Sequence, residues 1–176
     1  TEFTNNRGQT SKGWLREQDL VTVDEWERRK QNQQAVGQLT EADIQTQLQE
    51  ARDYIANRQI PEALHVYNFL AQQNVPEAMY EYGSLALQRR NQEISCAEGF
   101  DLVKKASDKG YTPAKRTLGF LYLFADNEQV LRLNNYETCQ YEKNVFRGSK
   151  LLMEAIMEGD TTAKRLMEEF NQQRTN

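Results

Sequence analysis

Residues 99 to 114 read GFDLVKKASDKGYTPA, and the fold turns on this stretch. Gly99, Leu102, Val103, Ala106 and Ser107 stand at offsets 0, 3, 4, 7 and 8, which form one face of an α-helix. Gly110 follows, a residue type that tolerates the left-handed backbone with which helices commonly end. Pro113 and Ala114 come next, and proline costs little in the first turn of a new helix. Helix, tight turn, antiparallel helix is the reading. Moving 36 residues back, the same slots hold Ala63, Val66, Tyr67, Leu70, Ala71, Asn74 and Ala78. Moving 49 forward, they hold Gly148, Leu151, Leu152, Ala155, Ile156, Gly159 and Ala163. A second ladder matches Tyr82-Gly83-Ser84-Leu85 to Leu118-Gly119-Phe120-Leu121.

Repeats at a fixed offset mean supersecondary units that hide their apolar faces only by stacking on one another. The small–large–large–small order lets two helices approach closely at Ala or Gly while larger residues fill the space between them. The expected fold is therefore all-α: an α-solenoid of antiparallel helix pairs, about three repeats and a C-terminal capping helix. The repeat domain spans residues 39–176 and opens at Thr40, which caps a helix between the staple residues Leu39 and Ile44. Before it, residues 1–38 form a polar leader, extended or partly disordered over 1–20 and helical after that. Thr22 and Glu25 make a capping box there, Val21 and Trp26 a staple, and Gly37 a stop. The surplus in the 49-residue spacing falls within Asp126–Asn144, expected as a long loop in the third repeat.

Composition narrows the chemistry. The net charge is −4, with no basic face large enough to displace phosphate counterions, so nucleic acid is not the expected partner. No apolar run approaches the roughly 18–20 residues that span a bilayer. The chain does not begin with Met and reads as a processed or trimmed product whose targeting segment has gone. His65 is the one histidine, without neighbouring ligand or triad partners, and reads as a surface or packing residue. Glycine-rich phosphate loops and paired carboxylates in apolar settings are missing too, so no catalytic residue, metal or cofactor is expected. Cys96 and Cys139 stand at equivalent corners of successive repeats, about 10 Å apart before the long loop closes the gap. They read equally as a disulfide, which implies an oxidising compartment, or as two unpaired small hydrophobes of a cytosolic protein. Trp14 and Trp26 lie outside the repeats, as pins of the leader or as anchors for a partner.

Leu118-Gly119-Phe120-Leu121-Tyr122, followed by Gly148, Leu151, Leu152, Ala155, Gly159 and Ala163, resembles the Sel-one-like repeat family. Ala51, Tyr54, Ala63, Tyr67 and Leu70 are closer to the spacing of the related tetratricopeptide repeats. The resemblance runs from about residue 40 to the C-terminus. It implies a short right-handed superhelix and a non-enzymatic scaffold or adaptor, since the Sel-one-like family looks like a set of adaptors with very different partners. The concave face of such a superhelix would present Leu48, Arg52 and Ile55, then Tyr80, Ser84 and Leu87, then Arg116, Phe120 and Leu123. Arg52, Tyr80, Ser84, Arg116, Phe120 and Leu123 are the candidate partner-binding residues, with the apolar ones exposed to a peptide or protein. An accessory domain cut from a larger enzyme or from a secretion or cell-envelope machine is the other reading. The expected location is periplasmic or secreted, with the cytoplasm as the alternative.

Overall fold

The computed structural model describes residues 2–4, 10–12, 39–136 and 138–175. The chain divides into two compact units, 1–43 and 44–176. In the first, strands β1 (Glu2–Thr4) and β2 (Thr10–Lys12) pair antiparallel, with Phe3 opposite Ser11. The capping box at Thr22, the Val21–Trp26 staple, the Gly37 stop and Trp14 lie outside the described residues. At the end of this unit Thr40 caps as expected. Its hydroxyl accepts from the Asp43 backbone N–H at 3.2 Å, and the Asp43 carboxylate accepts from the Thr40 N–H at 3.1 Å.

Apart from that hairpin, the described elements are helices: α1 (Glu41–Ala56), α2 (Ile60–Gln72), α3 (Pro76–Leu87), α4 (Cys96–Asp108), α5 (Thr112–Phe124), α6 (Glu128–Leu133), α7 (Val145–Met157) and α8 (Thr161–Thr175). The protein is all-α in this sense. Asn74, Gly110 and Gly159 follow the ends of α2, α4 and α7, with φ of 62°, 87° and 91°. Each end carries the same pair of bonds. The wider one runs from the Val75 N–H to the Leu70 C=O at 3.2 Å, from Tyr111 to Ala106 at 3.0 Å, and from Asp160 to Ala155 at 2.9 Å. The inner one runs from the N–H of Asn74, Gly110 and Gly159 to the carbonyls of Ala71, Ser107 and Ile156. Arg58, Arg89 and Asn135 also take positive φ, at 62°, 57° and 62°, where the sequence carries no glycine to announce it.

The helices pack most extensively where α3 meets α4 and where α5 meets α7. Two glycine pairs explain both. A Cβ on Gly83 would sit 2.6 Å from the Gly99 carbonyl oxygen, and one on Gly99 would sit 2.9 Å from that of Gly83. Gly119 and Gly148 meet in the same way, with 3.1 and 3.0 Å to each other's carbonyl oxygens. Backbone lies against backbone at each crossing, most tightly where Gly83 faces the Gly99 carbonyl. Around them Val103, Ala106, Leu118, Leu121, Leu152 and Ala155 are almost completely buried. Each buried leucine or valine contributes about 1.5–3 kcal/mol.

The segment expected as a loop, Asp126–Asn144, is partly helical. Asn127 caps α6 by accepting from the Val130 N–H at 3.1 Å, and Arg132 pairs with Glu128 one turn earlier at 2.8 Å. Leu131, Tyr136 and Cys139 of this segment are buried. The structure joins Cys96 to Cys139, with Cα atoms 5.8 Å apart. The first residue of α4 is thereby tied to the insertion.

Candidate partner-binding surfaces

The residues assigned to a concave face do not form one open surface. Leu87 and Leu123 are buried, with 0 and 1 % of their surface exposed. Leu87 reaches to Gly99 of α4, and Leu123 to Gly148 of α7. Leu123 fills the hole that the missing Cβ of Gly148 leaves, and Leu87 packs in ordinary contact beside Gly99, so both belong to the helix crossings and not to a groove. Leu48 and Ser84 are buried as well, and the Ser84 hydroxyl donates to the Glu81 carbonyl at 3.3 Å. Phe120, expected in solvent, is only 4 % exposed. Its ring lies 5.2 Å from Phe124 and 5.9 Å from Tyr136, whose hydroxyl accepts from the Gln88 amide at 3.3 Å. The insertion covers Phe120, and the repeat pattern carried no sign of that.

Tyr80, Arg116 and Phe120 do come together, around a cavity of about 230 Å³ that Tyr136 and Arg165 also line. The Tyr80 ring packs 5.4 Å from Tyr111 and its hydroxyl meets Thr117 at 3.2 Å. Arg116, however, already holds Asp160 at 2.6 Å. Arg52 is exposed and paired with Glu77. Both candidate arginines are balanced from within the chain. Next to that pair lies Glu81, whose carboxyl is pushed up to about 7 by burial, with Glu77 adding to the effect and Arg52 opposing it. Burial raises the Tyr67 and Tyr111 hydroxyls well above their ordinary range too, and Glu77 and Glu81 reinforce the shift.

A larger opening runs between α4 and α7, floored by α5. It consists of two adjoining hollows of about 650 and 430 Å³ that share Lys104 and Tyr122. The first is aromatic. Phe100 stands edge-on to Tyr122 with ring centres 5.8 Å apart, and Tyr141 of the insertion lies 6.2 Å from Phe100. The Cys96–Cys139 bond closes this end, so the insertion that covers Phe120 also builds a wall of the groove. The second hollow is polar, lined by Ser107, Arg147, Lys150, Lys115 and Glu154 over Leu118. Lys115 is taken by Glu158, with Glu154 at 3.9 Å, and Lys150 lies 3.8 Å from Glu154. Lys104 and Arg147 have no carboxylate partner among the described residues. The wall helix α7 also exposes Phe146, Met153 and Met157 at helical spacing along one face.

Sequence reading missed this groove because Phe100, Lys104, Arg147 and Lys150 fall on helix faces outside the repeat ladder. The available signal was local: cations gather at Lys104, Lys105 and Lys109, then at Lys143, Arg147 and Lys150, in a chain whose net charge is −4. His65 is exposed on α2. Among the described residues no group of three or more His, Cys, Asp or Glu could hold a metal ion, and no helix is long and apolar enough to cross a membrane. No family model, curated protein or solved structure matches the chain.

Proposed function

We propose that this chain is a non-enzymatic scaffold, a solenoid of antiparallel helix pairs of the Sel-one-like kind, that holds a peptide or protein partner in the groove between α4 and α7. One observation carries the reading: Phe100, Tyr122 and Tyr141 line an open hollow that continues into one lined by cations. Aromatic rings and cations in a concave site are what protein recognition uses for its strongest contacts. The exposed Phe146, Met153 and Met157 on α7 support a protein partner, since such stripes on folded domains usually mark contact surfaces. The inner face around Tyr80 and Arg116 is the weaker site, because Tyr136 occupies much of it and its arginine is already paired. The Cys96–Cys139 bond supports an oxidising compartment, the periplasm or the cell exterior.

Random peptides displayed on phage and selected on the immobilised chain test this reading. Enriched peptides should bind the Phe100→Ala variant at least tenfold more weakly, about the value of one truncated aromatic anchor, and the Tyr80→Ala variant unchanged. Peptides sensitive to Tyr80→Ala and indifferent to Phe100→Ala would return the site to the inner face. A selection that enriches nothing counts against peptide binding altogether.

A further inference from the structure

Given that the α4–α7 groove is the partner site, we propose that its Lys104–Arg147 end binds carboxylates, so that the partner segment carries an apolar side chain followed by acidic residues. Two cations that line the groove are already matched: Lys115 is bound to Glu158, and Lys150 lies 3.8 Å from Glu154. Lys104 and Arg147 stand apart from this pattern: they come from different helices, line the same hollow, and meet no carboxylate among the described residues. Ser107, 6 % exposed, lines that hollow with a hydroxyl that has no hydrogen-bond partner among the described residues. Two unmatched cations and a free hydroxyl donor make a set that an incoming carboxylate completes. The carboxylates already present do not fill that role. Glu154 lies between Lys115 and Lys150, and Asp108 is exposed at the rim.

Continuity decides for a peptide. Lys104 and Tyr122 belong to both hollows, so a ligand touching the cations also reaches the rings of Phe100 and Tyr141. An isolated small anion would leave the aromatic hollow empty. A polyanion such as nucleic acid would meet a chain of net charge −4. An extended segment with one apolar residue and acidic neighbours uses the whole groove.

The test is fluorescence anisotropy at low salt with a fluorescein-labelled octapeptide that carries one phenylalanine followed by three aspartates. A second probe has asparagines in place of the aspartates. The aspartate probe should bind roughly tenfold more tightly, and salt should erase much of the difference, because partly exposed ion pairs are screened. The double variant Lys104→Glu and Arg147→Glu changes two groups at the edge of the groove. It should keep its melting temperature, lose the aspartate probe at least tenfold, and bind a probe with lysines in place of the aspartates better than the parent does. Equal affinity for the aspartate and asparagine probes overturns the carboxylate site while leaving the groove as the partner site. Binding of neither probe overturns the groove reading itself. Competition by inorganic phosphate at the same concentration as the peptide would make the site a general anion site and overturn the assignment to peptide.

Discussion

The pair α3–α4 and the pair α5–α7 solve one packing problem with different connections. In both, two glycines bring the backbones into contact and a leucine of the first helix, Leu87 or Leu123, fills the space beside the second glycine. The first pair is joined by a short link pinned by Asn91, whose buried amide donates to the Tyr82 carbonyl at 3.1 Å and accepts from the Glu93 N–H at 2.9 Å. The second is joined through α6 and the tethered stretch that carries Tyr136, Cys139 and Tyr141. The crossing is the same; what lies over it is not. A helix pair whose geometry is set by backbone contact tolerates an elaborate connection, and here the elaboration narrows the cavity around Tyr80 and builds a wall of the groove beside α4. The groove proposed as the partner site follows from the insertion more than from the repeat.

The strongest way to break that comparison is to release the insertion. Replacing Cys96 and Cys139 with alanine reopens a loop with a sequence separation of 43 residues. The expected loss in a denaturant titration is about 4 kcal/mol. Hydrogen exchange should show lost protection concentrated in 126–144 and little change in α3–α4; uniform loss would mean that the two pairs depend on the bond equally. Next comes the crossing itself. Gly83→Ala drives a methyl into a backbone carbonyl at 2.6 Å and should cost about 3 kcal/mol, whereas Gly119→Ala meets first the Leu152 side chain at 2.8 Å, which can rotate, and should cost about 1 kcal/mol. Equal melting temperatures for the two variants would erase the distinction between a rigid and a yielding obstacle.

The third contrast is ionic. Glu81 on α3 corresponds to Thr117 on α5, 36 residues later, so only the first pair buries a carboxyl at this slot. With its pKa pushed up from the ordinary 4.5 to about 7, folded Glu81 keeps a proton that the unfolded chain gives up. Its stabilising effect is complete below pH 4.5 and is lost as pH rises through 7. Glu81→Gln should therefore match the parent at pH 4 and exceed it by about 2 kcal/mol at pH 8. A parent whose stability rises between pH 5 and pH 8, with Glu81→Gln rising in parallel, would show that this carboxyl is not held neutral.

The helices and their stops were legible because they depend on residues near in sequence. Offsets of three and four mark a buried face, and Asn74, Gly110 and Gly159 tolerate the left-handed turn that each helix needs. The stops at Arg58 and Arg89 were not legible, since arginine has no such preference and tertiary packing imposes the turn. The site was harder still. Whether Phe120 is open depends on Tyr136, and whether Phe100 faces a wall depends on Tyr141; both come from a segment outside the repeat register. Leu87 and Leu123 were misread for a simpler reason. A leucine four residues after a helix glycine looks free to line a groove until the glycine of the facing helix is counted as its packing neighbour.

The bond between Cys96 and Cys139 also changes how the chain would carry a load. If the two ends of the protein are pulled, tension enters at Cys96 and leaves at Cys139 through the sulfurs, so α4, α5 and α6 lie off the line of force. The sequence separation of 43 residues amounts to about 140–155 Å of contour length that stretching cannot release while the bond stands. A reductant would return that length in a single step.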